Sequence, residues 1–441
     1  MTQDSPLETD RDLQGGSSFG TLAALQPLMD TCVHCGFCLP TCPSYLMLGQ
    51  EMDSPRGRIY LMKAVVQNRA TMSDSVVRHF DTCLGCMACE TACPSGVLYA
   101  PLIEETRAAI ERERPRAAAD RLFRRLLFLL LPYPARLRLL VPLLAAVHLL
   151  RRLPGLLSLL PLRLRNLVAL APSATARHAR LETPERTSAT GDERARVGLV
   201  TGCVQRVFFG DVNRATARIL AAEGCEVLAP RRQGCCGALA LHAGRDDEAR
   251  RFARELIQVF EGQTLDAIVI NAAGCGSTMK SYGHLLKDDP AWAERARAFG
   301  AKVRDVTETL AGLRPARAVR HPLSLRVAYH DACHLAHAQG VRKEPRQLLE
   351  SIPGLTLVPL ADSEICCGSA GIFNLVEPGM AADLGRRKAA HIADATPDVV
   401  VTSNPGCILQ IGASARAAGH AFRVLHIVEL LDASLRGSFH D

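Results

Sequence analysis

The chain has 441 residues, of which 52 are Lys or Arg, 45 are Asp or Glu and 17 are Cys. This length predicts two or three domains, and a hydrophobic content of 48% excludes a disordered protein, a collagen-like fibre and a small disulfide-stapled module. The odd cysteine count and a polar N-terminus without a signal-like apolar segment predict a cytoplasmic protein with reduced thiols. Clustered cysteines in such a protein bind metal or perform redox chemistry more often than they form structural disulfides.

Two cysteine runs of identical spacing stand near the front of the chain. Each reads Cys-x2-Cys-x2-Cys-x3-Cys-Pro, and every cysteine recurs at an offset of 51 residues. In two-cluster bacterial ferredoxins, three neighbouring thiolates bind one [4Fe–4S] cube and the fourth cysteine crosses to the other cube. This rule predicts one cluster on Cys32, Cys35, Cys38 and Cys93 and a second on Cys83, Cys86, Cys89 and Cys42. Zinc sites usually combine two CxxC pairs, so the uniform runs argue against zinc here.

The segment between the two runs contains a helix start and two arginines. Ser54 is suited to cap the helix, with Pro55 at its first position. Arg56 and Arg58 either offset the negative charge of a thiolate-ligated cluster or are exposed residues of the first helical turn. His34 is interpreted as a spacer residue, since four cysteines already complete the run.

A basic, leucine-rich belt covers residues 121–181. It contains 11 Arg and no Asp or Glu, whereas the rest of the chain has 41 basic and 45 acidic residues. Its uncharged stretches are at most 12 residues long, well short of the roughly 20 that span a bilayer. The sequence predicts short helices broken at Pro132, Pro134, Pro142, Pro154 and Pro161. Either they contact an anionic membrane surface or partner subunits, or they pack on their own protein with arginines reaching water. Scarce aromatic residues and the lack of a recognition motif argue against nucleic acid as a partner.

The second half of the chain is predicted to be a duplication of about 130 residues. A single cysteine, a Cys-Cys-Gly and a further cysteine occur twice, at offsets of 130, 131 and 132 residues. The residues of the two sets are Cys203, Cys235, Cys236 and Cys275, and Cys333, Cys366, Cys367 and Cys407. Each single cysteine follows an apolar, β-branched run, and helical patterns separate these runs. The pattern predicts parallel sheets in α/β layers, with cysteines at the carboxyl ends of strands, where such sheets build sites.

Four thiols are expected to converge in each repeat. They could hold a cluster or another metal, act as a dithiol/disulfide pair, or be buried apolar cysteines. Nearby, His330, His334 and His337 could support ligands or move protons, although a structural role is the alternative for each. The remaining cysteine, Cys225, precedes a short strand and is interpreted as ordinary packing.

Two nucleotide-binding motifs are absent from the sequence. It has no GxGxxG and no Gly-Lys dipeptide. No catalytic residue is therefore assigned, and hydride chemistry is expected on another polypeptide. The chain is interpreted as an electron conduit.

Taken in order, these motifs resemble the iron–sulfur subunit of bacterial glycolate oxidase. The resemblance rests on the run Cys32–Cys38 with Thr41–Tyr45, the segment Asp53–Arg58, the run ending Cys93–Val97, and the repeats closing at Asn404–Cys407. It implies an electron-transfer subunit with two [4Fe–4S] clusters that serves FAD-binding partners oxidising glycolate to glyoxylate. Electrons would pass towards the membrane quinone pool, and family members are cytoplasmic, often associated with the inner membrane. Related proteins serve D-lactate and glycerol-3-phosphate oxidation.

The heterodisulfide reductase relatives differ at one informative position. Their last cysteine in each repeat belongs to a Cys-x-x-Cys, and five thiols hold an unusual cluster. The partner positions are Thr278 and Gln410 here. Disulfide reduction is therefore not transferred, and a thiol or disulfide reductase remains the rival interpretation.

The expected fold is multidomain, α followed by α/β. We predict a polar tail at 1–25, an α-helical two-[4Fe–4S] ferredoxin-like domain at 26–112 and a Leu/Arg-rich helical linker at 113–190. Two Cys-Cys-Gly repeats with parallel sheets are predicted at 191–318 and 319–441.

Overall fold

The computed structural model describes residues 19–150, 159–172 and 181–439. A helical N-terminal body comes first, and a 3₁₀ turn at Glu51–Asp53 interrupts it. The helices of this body are Phe19–Ala23, Gln26–Asp30, Pro43–Leu48, Pro55–Val66, Asp74–Asp81, Ala88–Thr91 and Tyr99–Glu113.

The helix Pro55–Val66 begins as the sequence predicts. The Ser54 hydroxyl accepts a hydrogen bond from the Gly57 backbone N–H at 3.0 Å, and Pro55 occupies the first turn. Gly57 is required there because a Cβ atom would overlap the backbone carbonyl of Glu51. This close approach fixes the helix between the two cysteine runs.

The N-terminal body starts earlier than residue 26. Residues 1–18 of the expected tail lie outside the described residues, but Phe19–Ala23 is a helix whose Leu22 is fully buried. The Phe19 backbone N–H also donates to Glu113 Oε1 at 2.9 Å. The tail prediction is therefore wrong for residues 19–25, because the apolar side chain of Leu22 completes the core of this body.

The basic belt forms helices Ala118–Leu130, Pro134–Leu150 and Leu162–Leu170. The break expected at Pro142 is wrong, because the second of these helices continues through it. Leu137 and Val141 on the preceding turn are buried against Val207, which holds the helix despite the lost backbone hydrogen bond. Pro154 lies outside the described residues.

A membrane-spanning test of the described residues finds no single helix that is long and apolar enough. The segments Ala118–Leu130 and Pro134–Leu144 pass only together, and they meet at a bend of 107°.

The remainder of the described chain contains two sheets with helices between the strands. One sheet has the order β1-β3-β2-β4-β5, and the other has the order β7-β6-β8-β9. All neighbours pair in parallel except β1, which is antiparallel to β3. The strands are β1 (Arg186–Thr187), β2 (Ala195–Val200), β3 (Cys225–Leu228), β4 (Ala267–Ile270), β5 (Val303–Asp305), β6 (Arg326–Tyr329), β7 (Thr356–Val358), β8 (Val399–Thr402) and β9 (Arg423–His426).

The helices of the two repeats follow the strands in the alternation that the sequence predicts. In the first repeat they are Val204–Phe208, Gly210–Ala222, Ala238–His242, Asp246–Phe260, Ala273–Lys280, Tyr282–Leu285, Ala293–Lys302 and Val306–Gly312. In the second they are Cys333–Ala336, Glu344–Glu350, Phe373–Val376, Pro378–Asp394, Pro405–Ala417 and Ile427–Arg436.

The duplication appears directly in the sheet order. Strands β3-β2-β4-β5 and β7-β6-β8-β9 have the same sequence of neighbours. The predicted fold class is confirmed. The first sheet gains β1, which lies before residue 191 and inside the segment expected to be linker. It extends the sheet edge by pairing with β3.

The two repeats share one hydrophobic core. Val197 and Leu199 of the first sheet lie in the same buried cluster as Val327 and Val401 of the second. Arg218 also forms a two-point ion pair with Asp432, at 2.9 and 2.7 Å. The repeats therefore pack as one body and not as two separately closed domains.

The N-terminal body docks on both repeats. Arg112 pairs with Asp246 at 3.1 Å, and the Thr91 hydroxyl is 2.8 Å from His337 Nδ1. Gly244 has φ +77°, and a Cβ atom there would overlap the backbone carbonyl of Arg107. This docking brings the second cysteine run against the Cys-Cys-Gly half.

Candidate iron–sulfur and thiol centres

The two ferredoxin-type loops have the same backbone conformation. Positive φ angles flank the second cysteine in each run: His34 (55°) and Gly36 (89°) around Cys35, and Gly85 (62°) and Met87 (60°) around Cys86. Successive residues of this kind turn backbone N–H groups inwards and form anion-binding concavities found at iron–sulfur sites. His34 contributes its positive φ angle to the loop, as Gly85 does in the second run, which agrees with its interpretation as a spacer residue.

One cavity of about 290 Å³ is lined by Cys42, Cys83, Cys86 and Cys89. All four cysteines are buried. A second cavity, of about 280 Å³, is lined by Cys32, Cys35, Cys38 and Cys93. Each cavity therefore takes three cysteines from one run and the fourth from the other. Four thiols and no carboxylate form each donor set, which is the set a [4Fe–4S] cube requires.

The exposure of the two cavities differs. Cys35 is exposed and Cys32, Cys38 and Cys93 are half-buried, whereas the other four are closed off from solvent. The first group therefore lies near the surface, and we name it the outer cavity. The second group lies inside the protein and is named the inner cavity.

Each cavity has an arginine of its own. Arg56 lines the outer cavity and donates to the backbone carbonyl of His34 at 2.8 Å. Arg58 lines the inner cavity and is fully buried. Its guanidinium donates to Ser44 and Thr82, at 3.0 Å each, and to the His79 carbonyl at 2.6 Å. The burial of Arg58 favours the charge-offsetting interpretation over an exposed first-turn residue.

Arginines set the charge of the inner thiols. Burial opposes the Cys83 thiolate, but the guanidinium groups of Arg58 and Arg107 outweigh it and lower the pKa of Cys83. Arg107 donates to the Cys83 carbonyl as well. By contrast, burial and neighbouring cysteines raise the pKa of Cys86 and Cys89 well above its ordinary value. These two thiols need a metal or a further cation to become thiolates.

The thiols of the first repeat converge as the sequence predicts. Cys203, Cys235, Cys236 and Cys275 come from the carboxyl ends of β2 and β4 and from the loop after β3. Hydrogen bonds from Cys235 and Cys275 lower the pKa of Cys236 well below its ordinary value. The Tyr282 hydroxyl donates to the Cys236 carbonyl at 2.7 Å.

The second repeat brings together its thiols and an imidazole. Cys333 lies beside Cys366, which adjoins Cys367, and Cys367 adjoins Cys407. His330 and these last two cysteines are buried, with their ligand atoms within 4.8 Å of one another. Burial lowers the pKa of His330 to about 3, so the ring is neutral near pH 7.

The inner cavity adjoins the second repeat. Cys86 packs in one apolar cluster with Cys366 and Cys333. His334 Nε2 is 2.8 Å from the Gly85 carbonyl, and its ring lies 4.8 Å from that of His242. His334 and His337 therefore hold the N-terminal body in place, while His330 alone of the three joins the thiols.

Sequence reasoning missed two cations at these centres. Arg107 bridges the inner run and the first repeat, donating to the His242 carbonyl at 3.0 Å. Lys388 is buried, its ammonium donates to the Asp362 carbonyl, and the charges of Cys367 and Cys366 act on it. Neither residue belongs to a recognisable sequence motif, because both reach these centres only through tertiary packing.

Cys225 is fully buried in the shared core, in agreement with a packing role.

Comparisons with known proteins define the class. Residues 28–97 match the 4Fe-4S dicluster domain, and residues 197–280 and 327–412 match the cysteine-rich domain CCG. A solved structure of a hypothetical protein from Helicobacter pylori has the same fold, with a TM-score of 0.55 at 8% identity over 96% of this chain and 77% of its own. The chain is an iron–sulfur electron-transfer protein with a dicluster domain and two CCG repeats.

Two full-length relatives narrow this class. The "Probable glycolate oxidase iron-sulfur subunit" of Bacillus subtilis (strain 168) is 38% identical over 91% of this chain and 92% of its own. The "Glycolate oxidase iron-sulfur subunit" of Escherichia coli (strain K12) is 34% identical over 92% and 94%. The chain belongs to the family of glycolate oxidase iron–sulfur subunits, and the predicted resemblance is confirmed.

Proposed function

We propose that this chain transfers electrons from FAD-binding partner subunits that oxidise glycolate to glyoxylate, towards the membrane quinone pool. The observation that carries the proposal is the pair of four-cysteine cavities, one near the surface and one inside. A [4Fe–4S] cluster supplies one-electron transfer, and a flavin can take two electrons from a substrate and release them singly.

The ligand sets we propose follow the cavities. Cys32, Cys35, Cys38 and Cys93 hold the outer cluster, and Cys83, Cys86, Cys89 and Cys42 hold the inner one. Arg56 and Arg58 offset the negative charge of the thiolates at the respective sites, and the cysteines of the inner site are buried.

The outer cavity is the proposed docking point for a redox partner. Val33 and Phe37 line it and are 67% and 65% exposed. Large apolar side chains beside an exposed ligand offer a partner both contact area and a short path to the cluster. We assign this surface to the flavoprotein subunits.

The substrate assignment rests on the two full-length relatives, and D-lactate or glycerol-3-phosphate is the alternative. "Lactate utilization protein A" of Exiguobacterium sp. (strain ATCC BAA-1283 / AT1b) is 32% identical, but over 54% of this chain only. The test is to isolate the chain anaerobically with its bound flavoproteins and to add each substrate. Glycolate should reduce the clusters fastest. Fastest reduction by another hydroxy compound would reassign the substrate.

A second candidate function is thiol or disulfide reduction at the Cys-Cys-Gly half. It is favoured by Cys236, whose thiolate is stabilised by two neighbouring thiols. The balanced reaction takes two electrons and two protons to convert one disulfide into two thiols. Catalytic turnover of small disulfides by the reduced full-length chain would support it. If the chain only transfers electrons, no turnover of small disulfides is expected.

We also propose a cytoplasmic location with peripheral contact to the inner membrane through residues 121–181. One side of this belt packs on the protein, since Leu127, Phe128 and Leu170 are buried against the repeats. Arg124 and Arg163 share Asp120, at 2.7 Å each. In the described part of the belt, the exposed leucines include Leu122, Leu126, Leu129, Leu139, Leu143, Leu162 and Leu164. Exposed leucines flanked by arginines are typical of an interfacial segment on anionic lipid.

A further inference from the structure

The two repeats differ at the positions that face their thiols. Cys203 and Cys333 correspond, so Val200 of β2 matches His330 at the end of β6. The first repeat therefore has an apolar side chain where the second has a buried imidazole.

A second substitution accompanies the first. A Cβ atom added to Gly237 would lie 3.0 Å from the Ala249 carbonyl oxygen, and one added to Gly368 would lie 2.8 Å from that of Ala381. Ala249 and Ala381 therefore correspond, and the offset in this helix is 132. Lys388 then matches Leu256. The second repeat thus places a cation beside its thiols, whereas the first repeat has a leucine of the apolar core there.

The imidazole of His330 has no satisfactory partner in the described part of the chain. The residue is 0% exposed, and neither ring nitrogen makes a hydrogen bond to a described residue. The Ser363 carbonyl lies near the ring but falls short of hydrogen-bonding geometry. An unpaired buried polar group costs about 1–3 kcal/mol, whereas a ligating histidine uses one nitrogen for the metal and the other for a carbonyl. The ring's surroundings therefore fit a metal ligand.

The spacing of the ligand atoms indicates a single ion. A ring nitrogen of His330 and the sulfurs of Cys367 and Cys407 lie within 4.8 Å of one another. Metal–ligand bonds of about 2.0–2.3 Å place the corners of a tetrahedron about 3.3–3.8 Å apart. A small contraction would close the site around one ion, whereas the thiolates of a cube are held farther apart by the cube itself.

We propose that the second repeat binds one divalent ion of the zinc class through His330, Cys367 and Cys407, and that the adjoining Cys366, whose sulfur lies outside this group of three, moves in as the fourth ligand. Cys366 adjoins Cys367 and is 3% exposed. One dication with three thiolates has a net charge of −1, and the buried ammonium of Lys388 offsets it. The first repeat lacks both the imidazole and the ammonium and binds no such ion.

This site is independent of the proposed electron transfer. Zinc has no redox chemistry, so the second repeat anchors the fold beside the inner cavity and the electrons leave by another route. Loss of the ion and loss of electron transfer are therefore separable results.

The test uses the full-length chain, isolated anaerobically, equilibrated with Zn²⁺ and then dialysed against a weak chelator. Element analysis should find about one zinc per chain beside the cluster iron. X-ray absorption at the zinc edge should show sulfur at about 2.3 Å and nitrogen at about 2.0 Å. His330→Val copies the first repeat and should lower retained zinc at least tenfold and remove the nitrogen signal.

Two controls keep the result interpretable. Cys407→Ala should lose the ion, whereas Cys225→Ala, at an equally buried cysteine outside every group, should keep it. Unchanged iron content in each variant shows that the chain has folded. The proposal is overturned if the wild type retains no zinc, if about four irons beyond the two cubes occupy the repeat, or if His330→Val keeps both zinc and nitrogen signal.

Discussion

Arg58 gives the inner cavity a positive charge that water does not screen. Its guanidinium is buried beside Cys83 and Cys42, and these thiols together with Asp53 raise the pKa of Arg58 against the effect of burial. A fixed charge at this position stabilises the reduced, more negative form of a cluster. Arg58 therefore raises the electron affinity of the inner site.

Removing that charge should lower the inner reduction potential. At an effective dielectric constant of 20, a unit charge about 8 Å away contributes about 2 kcal/mol, so Arg58→Gln should lower the midpoint by on the order of 50–100 mV. Arg58→Lys should retain most of it. An anaerobic redox titration followed by electron paramagnetic resonance measures both variants. Equal midpoints for Gln and Lys would show that Arg58 serves packing alone.

The stability of the last helix depends on a neutral histidine at its N-terminus. His426 caps the helix Ile427–Arg436: its Nδ1 accepts from the Val428 N–H at 3.2 Å, and Nε2 donates to the Asn271 carbonyl at 2.7 Å. Burial lowers the pKa of His426 from 6.5 to about 4. Between pH 6.5 and pH 4, His426 is therefore protonated in the unfolded chain and neutral in the folded chain.

The stability that neutral His426 provides is full above pH 6.5 and declines as the pH falls towards 4. Over the whole window the loss approaches about 3 kcal/mol. Urea unfolding followed by circular dichroism between pH 7 and pH 4 measures it. His426→Asn should flatten this part of the profile. A profile that keeps its slope in the variant would assign the acid sensitivity elsewhere.

The helices of the basic belt expose leucines that could enter a membrane surface. Leu139 and Leu143 are one turn apart and are 81% and 61% exposed. Replacing both with Glu should weaken sedimentation with anionic vesicles at least tenfold, since each buried leucine contributes about 1.5–3 kcal/mol. Val319→Glu, at a 70% exposed site outside the belt, is the control. Unchanged vesicle binding in the double variant would assign the belt to protein contacts.

Docking of the N-terminal body on the repeats depends on the close approach of two backbone segments at Gly244. Gly244→Ala adds a Cβ against the Arg107 carbonyl. Gly419 has nearly the same φ, +76° against +77°, but no atom within 4 Å. Gly244→Ala should therefore destabilise the docked body by about 1–3 kcal/mol more than Gly419→Ala. Hydrogen exchange at the docking contacts should rise in Gly244→Ala alone. Equal exchange in the two variants would show that Gly244 does not contribute to docking.

Sequence periodicity revealed what is local or repeated. The offset of 51 residues predicted two equal cysteine loops, and offsets of 130–132 predicted two equal sheets. It could not reveal contacts that only tertiary packing makes. The shared core of Val197 and Val327, the burial of Arg58 and the meeting of His330 with Cys367 belong to that group. The predicted break at Pro142 was wrong for the same reason, because packing on Val207, which is distant in the sequence, outweighs the helix-breaking tendency of the proline.

The most direct test of the electron-transfer account is the cluster content of the anaerobically isolated chain and of two single variants. We expect about eight irons per chain and two spectroscopically distinct [4Fe–4S] signals. Cys93→Ala should remove the signal of the outer site and Cys42→Ala that of the inner site, because each cysteine lines the cavity of the other run. A wild type with about four irons, or variants that lose the opposite signals, would contradict the account.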